Sequence, residues 1–275
     1  MPAGIKWDIT LNYTKNISEV KSIFEGITQV SIAGYSNLGN VAIPGEPFNA
    51  LFGSDFRKVQ EAGQFEGLYV VDNQGAYQSS GNNGIIGDPN PDFRANWINN
   101  LSWKGISFGF HWQWIEGGDM YSSTIQALLA RGNTSDTDVD RNVPLIMPNA
   151  VKQVGSNPDG TPIYVPNDIQ TYIGDTFFRA YFFSREGGIF DATVIRLREV
   201  SISYALPKSI LENTPFGTVG ITLSGENLFY NAPNFPEGTN FDPEISSLGV
   251  GNGRGFDFRT APTAKKFGIN LNVTF

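Results

Sequence analysis

The sequence predicts an all-β chain, and within that class a transmembrane antiparallel β-barrel. Three observations carry the prediction. The chain's 31 glycines, 16 prolines and 13% aromatic residues favour many short strands joined by turns over a helical bundle. Several segments alternate apolar and polar residues with period two. Those segments are apolar along one face and polar along the other for their whole length, as a wall between lipid and water requires.

Composition narrows the class further. Only 17% of the 275 residues are charged while 40% are hydrophobic, a low charge content for a soluble globular domain. The longest obvious apolar run is Ile125 to Ala130, far short of the roughly 18 residues a spanning helix needs. If the chain crosses a membrane, it crosses as strands. A formal net charge of −8 and a pI near 4.7 oppose a phosphate backbone, so no nucleic acid is expected as a partner. The absence of cysteine excludes disulfides and thiolate metal sites. Met1-Pro2-Ala3-Gly4 runs directly into an alternating strand without a charged and apolar leader, so a membrane reading expects residues upstream.

The first strand places Ile5, Trp7, Ile9, Leu11 and Tyr13 on one face and Lys6, Asp8, Thr10 and Asn12 on the other. The last segment repeats the pattern, with Phe267, Ile269, Leu271, Val273 and Phe275 opposing Lys266, Gly268, Asn270, Asn272 and Thr274. Between them Phe93, Ala95, Trp97, Leu101 and Trp103 lead into Lys104-Gly105, and Ile106, Phe108, Phe110, Trp112 and Trp114 lead out. A two-residue connection ending in glycine predicts a tight hairpin. All five tryptophans fall on the apolar faces. The opposite faces carry Asp92, Arg94, Asn96, Asn100 and Ser102, then Ser107, Gly109, His111 and Gln113, which suits a wet lumen.

Strands are expected at 3–14, 46–58, 65–73, 90–103, 105–116, 189–206, 216–230 and 264–275, about eight in all. The connectors 15–45, 74–89, 117–188 and 231–263 are long, whereas 59–64, 104–105 and 207–215 are short. Outer-membrane barrels keep short turns on the periplasmic side, which orients both chain ends there. Tyr13, Trp114 and Phe229 then lie toward the outer rim and Trp103, Tyr204 and Phe275 toward the inner, as two aromatic girdles. One strand reverses phase. Ile195 and Leu197 are apolar at odd positions, but Val200, Ile202 and Tyr204 at even ones, which predicts a bulge near Arg198-Glu199; the alternative is that Arg196 and Arg198 face the interior on a strand buried on both sides.

The run Asp191-Ala192-Thr193-Val194-Ile195-Arg196-Leu197-Arg198-Glu199-Val200-Ser201-Ile202-Ser203-Tyr204, followed by Leu206-Pro207-Lys208-Ser209, resembles a signature stretch of the SusC/RagA family of TonB-dependent transporters. Further matches stand in order: Gly45-Glu46-Pro47-Phe48 with Phe52-Gly53, Ile86-Gly87-Asp88-Pro89-Asn90-Pro91-Asp92, Ser224-Gly225-Glu226-Asn227-Leu228-Phe229, Phe241-Asp242-Pro243-Glu244, and the final Phe267 to Phe275 strand. The resemblance implies import of glycans or peptides across the outer membrane of Bacteroidetes-type bacteria. It implies a barrel of about 22 strands around a plug, a SusD-like lipoprotein lid, and TonB acting through an amino-terminal part. On this reading residues 1–275 are the carboxy-terminal part of the barrel, with plug and amino-terminal strands absent. The expected partners are outer-membrane lipid, the lipoprotein, TonB and an oligosaccharide or peptide substrate. Tyr172, Phe177, Phe178, Tyr181, Phe182 and Phe183 in the longest connection are candidates for substrate or lid contact, with internal packing as the alternative. Phe267, Ile269, Leu271, Val273 and Phe275 form the candidate membrane-assembly signal.

No enzyme, cofactor or metal site is expected. His111 is the sole histidine, which excludes multi-histidine metal sites, and it fits a lumenal polar contact. Asp136, Asp138 and Asp140 alternate in a Thr/Ser-rich stretch and fit a solvated acidic loop rather than a calcium site. Asp72-Asn73-Gln74-Gly75 has fewer acids than the calcium-like turn of similar proteins. Asp242 and Glu244 flank Pro243, which suggests turn chemistry over a catalytic carboxylate pair. Gly249, Gly251, Gly253 and Gly255 precede no helix and suggest a mobile surface loop over a phosphate cradle. Two other functions stay open. A complete eight-stranded barrel, an adhesin or porin, would need large inward side chains, whereas the inward positions are mostly Gly, Ser, Asn and Thr. A soluble carbohydrate-binding β-module would leave the Phe267–Phe275 strand prone to edge pairing.

Overall fold

The structure, a computed structural model, describes residues 4–35, 37–174, 184–248 and 251–275. In chain order β1 (Lys6–Thr14) is followed by β2 (Val30–Tyr35), β3 (Leu38–Ala42), β4 (Ala50–Phe56), β5 (Tyr69–Val71) and β6 (Ser79–Gly87). Then come β7 (Phe93–Trp103), β8 (Ile106–Glu116), β9 (Asp119–Ser122), helix α1 (Ser123–Ala130), β10 (Leu145–Ile146), β11 (Ala150–Ser156), β12 (Pro162–Pro166) and β13 (Gln170–Thr171). The remaining strands are β14 (Ile189–Asp191), β15 (Val194–Ala205), β16 (Thr218–Asn231), β17 (Phe256–Asp257) and β18 (Lys266–Thr274).

Six strands, in the order β1-β7-β8-β15-β16-β18, form one antiparallel wall. Its register lines up the two faces in unbroken rows. Trp7, Leu101, Phe108, Ile202, Leu223 and Ile269 stand in one row. The neighbouring row is Asp8, Asn100, Gly109, Ser201, Ser224 and Gly268. Strands of nine to fourteen residues meet the length of about 9–11 residues that a tilted membrane strand requires. The fold is all-β, and the wall is the transmembrane antiparallel barrel sheet expected; β1 and β18 are its two edges, so the six strands do not close on themselves.

Local chemistry explains the joints. Lys104 and Gly105 take φ of 48° and 88°, so both central residues of the β7–β8 hairpin are left-handed, the I′ geometry that matches strand twist. In β15, Leu197 pairs with Trp112 and Glu199 with His111, leaving Arg198 as the extra residue. The bulge is where the phase reversal of the apolar residues requires it. On the other side, β16 absorbs it with Asn227 at φ 53°. A Cβ on Gly225 would stand 2.7 Å from a Leu228 methyl, so a side chain at that position would have to push Leu228 aside. Tyr13 stacks on Phe93, and Phe93 meets Trp114 edge-on, at one rim. Trp103 and Tyr204 both pair with Ile106 near the other rim.

The expected strands at 46–58 and 65–73 are not in the wall. β4 and β5 fall there, but with seven and three residues they are too short to cross a membrane. β4 joins the sheet β2-β3-β4-β6 and β5 the sheet β12-β11-β5. Because the two lie next to each other in sequence, removing both preserves the alternation of long and short connections. The long ones span 15–92, 117–193 and 232–265, all at one end of the wall; the short ones, 104–105 and 206–217, lie at the other.

The long connections fold into a cap with its own hydrophobic core. Met120, Ile125, Leu129, Phe235, Phe241 and Ile245 form one cluster, and Leu38, Leu51, Tyr121 and Phe256 another. Among the described residues Val194 is the single buried hydrophobic residue in a wall strand. The wall is instead studded with exposed apolar side chains, among them Trp7, Leu11, Trp103 and Ile202. Parallel pairs stitch the cap together: β5 with β11, and β9 with β17.

Val200 lies in the middle apolar row, between Phe110 and Gly225, and Asn270 on the lumenal face opposite Thr222. Val200→Arg in the full-length protein should cost about 2–4 kcal/mol of folding free energy in lipid vesicles. Asn270→Arg should cost under about 1 kcal/mol. Urea-dependent refolding into vesicles measures both, and equal costs would reverse the assignment of faces.

Candidate functional site

Two lumenal rows of the wall concentrate polar chemistry. Asn12, Asn96, Gln113, Arg196 and Tyr230 stand side by side, and next to them lie Thr10, Ile98, His111, Glu199, Glu226 and Lys266. His111 makes the expected lumenal contact, its Nε2 lying 3.0 Å from Asn96 Oδ1. Arg198, the extra residue of the bulge, lies on the same side as Arg196, as positions i and i+2 of a strand do, and both reach Glu244. Its side chain donates to Gln113 Oε1 from Nε and Nη2 at 3.0 and 2.6 Å.

The third connection delivers the counter-charges. Arg196 Nη2 lies 2.5 Å from Asp242 Oδ1, with both side chains buried to within 1% exposure. Arg196 Nη1 donates to Asp242 Oδ2 at 3.3 Å and lies 2.9 Å from Glu244 Oε2. Glu244 also receives both terminal nitrogens of Arg198. Thr263 Oγ1 donates to Asp242, and the Glu244 amide donates to Asp242 Oδ1 at 3.0 Å. The Arg196 guanidinium lies 5.6 Å from the Tyr230 ring centroid. Burial opposes ionisation of Asp242, yet the hydrogen bonds from Arg196 and Thr263 outweigh it and hold the carboxyl below its ordinary 3.8. Two arginines of the wall are thus latched to two acids of the cap. The Asp242-Pro243-Glu244 turn exists, and it serves to present both carboxylates.

A second seam joins the first and second connections. Asp119 Oδ2 accepts the Asp88 amide at 2.8 Å, and a Cβ on Gly87 would stand 2.8 Å from that side chain. Burial, with Asp191 and Asp88 nearby, pushes the Asp119 carboxyl above its ordinary value. Asn90 Nδ2 donates to Asp88 Oδ1 at 2.7 Å and to the Phe48 carbonyl at 2.8 Å. Thr193 Oγ1 donates to Asp191 and accepts the Gly117 amide at 2.9 Å. Above this seam lies a cleft of about 390 Å³, bordered by Arg94, Glu244, Arg254, Asp119 and Gly118 among others.

This geometry has counterparts. The chain is 24% identical, over 98% of its length, to TonB-dependent receptor P3 of Formosa agariphila, and covers 27% of that receptor. It is 28% identical over 70% of its length to TonB-dependent receptor P26 of the same organism, covering 18% of it. Among solved structures it is similar to the RagAB peptide importer in its closed-closed state (TM-score 0.59) and its open-open state (0.58), at 18% identity over 98% of the chain and 27% of theirs. By sequence the chain is similar to TonB-dependent receptors, and by fold to the RagAB importer. It spans about a quarter of the length of receptor P3 and a smaller share of P26. No known family profile matches the sequence.

In this receptor-like chain the aromatic candidates are only partly placed. Tyr172 is 55% exposed on the cap; Phe177, Phe178, Tyr181, Phe182 and Phe183 lie outside the described residues. Phe267, Ile269, Leu271 and Phe275 are exposed on the apolar face of the edge strand, with Phe275 5.5 Å from the Phe216 ring. The Asp72 carboxylate accepts the Gln74 and Ala76 amides of its own turn, and among the described residues no three metal-ligating side chains converge. The glycine run differs from expectation. Gly253 and Gly255 are packed rather than loose: a Cβ on Gly255 would stand 2.8 Å from Pro89 and 2.9 Å from the Asp119 carbonyl. The reason is the β9–β17 pairing, which draws this segment into the cap.

Asp242→Asn should destabilise the cap by about 3–5 kcal/mol, because it strands the buried Arg196 charge. The double variant Arg196→Met with Asp242→Leu should recover most of the loss. Protease sensitivity of 232–265 in the membrane-embedded protein reports both, and equal sensitivity of single and double variants would refute the latch. A depressed carboxyl contributes stability above its unfolded pKa and loses it as pH falls through the folded one. The segment should therefore stay protected from neutral pH down to about pH 4 and open only below it.

Proposed function

We propose that this chain is the carboxy-terminal part of a TonB-dependent outer-membrane transporter that imports glycans or peptides together with a SusD-like lipoprotein. The observation that carries the reading is the wall itself: six antiparallel strands with continuous apolar rows on one face, polar rows on the other, and two open edges. Open edges in hydrocarbon leave backbone groups unsatisfied at several kcal/mol each, so β1 and β18 call for further strands. A self-contained eight-stranded barrel would pair them with each other. The receptors and the peptide importer to which the chain is similar support transport over catalysis. The RagAB importer, a pairing of two proteins by its name, supports a lipoprotein lid over the cap, with Tyr172 as a candidate contact. TonB would act through a plug outside these residues. The lipid contact would be made by the row from Trp7 to Ile269.

The full-length protein should fractionate with outer membranes and migrate faster on a detergent gel when unheated; recovery as a detergent-free soluble monomer would refute the reading. Within it, Phe267, Ile269, Leu271, Val273 and Phe275 serve as the assembly signal, with the ring of Phe275 at the periplasmic interface. Deleting Phe275 should lower insertion several-fold, whereas Asn272→Ser on the lumenal face should leave it unchanged. Quantifying the heat-modifiable band in outer-membrane fractions compares them, and the reverse ranking would overturn the signal and its facing.

A further inference from the structure

The latch leaves a charge imbalance at the cleft. Arg196 and Arg198 are balanced by Asp242 and Glu244, but two other arginines, Arg94 and Arg254, border the cleft that Glu244 also lines. Among the described residues the Arg94 guanidinium has no hydrogen bond or ion pair. That of Arg254 has only a 3.4 Å contact from Nε to the Gly251 carbonyl. The other acids at the cleft do not serve them. Glu244 is taken up by Arg196 and Arg198, and Asp119 is turned into the seam, where it accepts the Asp88 amide. In a chain of net charge −8, these two cations border one cleft together, neither with a carboxylate in ion-pair contact among the described residues.

Arg254 is also mounted with care. Asn40, fully buried and 214 residues away, accepts the Arg254 amide at 3.0 Å and donates to its carbonyl at 3.1 Å. Glycines on both sides are pressed against neighbours, Gly253 against Leu248 and Gly255 against Pro89. The backbone bearing this cation is fixed, while the side chain is left free at the cleft. Arg94 approaches from the wall, on the lumenal face of β7 opposite Thr14 and Ile115.

We propose that Arg94 and Arg254 form an anion-binding subsite at the mouth of the lumen that takes a carboxylate of the cargo. This deepens, and rests on, the transporter reading. A guanidinium fork matches a carboxylate bidentately, and with the Arg254 backbone already held only the side chain has to be ordered on binding. The carboxylate of a peptide terminus and that of a uronic acid share this chemistry.

The test uses the full-length protein in detergent and four probes: tetraalanine against its carboxy-terminal amide, and trigalacturonate against uncharged maltotriose. At low ionic strength one acid or both should bind at least about tenfold tighter than the neutral counterpart, with the difference shrinking as salt rises. Arg254→Gln and Arg94→Gln should each remove most of the preference, and Arg254→Lys should keep part of it. Arg94 is exposed on its strand, so its variant guards against loss of binding through misfolding, and the heat-modifiable band checks the barrel in each. Preference for tetraalanine alone assigns a peptide source and for trigalacturonate alone a glycan source. Equal binding of acid and neutral probes, no binding of either acid, or a preference that survives the double variant overturns the subsite. A protein that inserts into outer membranes but ignores charge fails here while the transporter reading stands.

Discussion

A backbone that crosses hydrocarbon has no water to bond with, so every amide and carbonyl must find a partner in the next strand. That constraint shapes the rest of this molecule. It sets the six-strand ladder, the tight Lys104-Gly105 turn and the antiparallel pairing throughout the wall. It also inverts the usual distribution of apolar groups. Side chains such as Trp7, Phe108 and Ile202 are exposed on one face of the wall, and the rows on the other face are small and polar.

The cap obeys the opposite rule. Its strands are short, it contains helix α1, and it hides Met120, Leu51 and Phe256 as a soluble domain would. The two regimes meet at β15, where Val194 and Arg196 are buried while Ile195 faces outward. A buried arginine is costly unless its partners are excellent; here Asp242, Glu244 and Tyr230 serve the two terminal nitrogens and the guanidinium face, while among the described residues Nε has no partner. Specificity of docking is what such a pair provides: an apolar contact would let the third connection slide, but a forked guanidinium accepts its carboxylate in one geometry.

Much of the wall was legible in the sequence because period two survives wherever one face meets lipid. The bulge at Arg198 could be read from Leu197 and Val200 being apolar out of phase, and the hairpin from Lys104-Gly105. The cap was less legible. β4 reads as a strand, but Ala50 and Leu51 are adjacent and both buried, so no alternation shows whether it sits in a wall or a core. Nothing local links Arg196 to Asp242, 46 residues later, or Asn40 to Arg254. The motif resemblance was the available signal, since the Asp191–Thr193, Gly87–Asn90 and Phe241–Glu244 stretches turn out to be the seams. The packing of Gly253 and Gly255 was missed because a glycine run looks alike whether its freedom or its small size is what matters.

The clamp of Asn40 on Arg254 closes a loop of more than two hundred residues, and it lies between segments that belong to the first and third connections. Contacts of that separation are slow to form, because the entropy of closing the chain must be met before they return any stability. The hairpin β7–β8 needs only two intervening residues and can zip early. The cap therefore sets last, after the wall has brought its connections to one end. During that interval the apolar residues of both regions are exposed together, which makes this the stage at which the chain is most prone to associate with other chains.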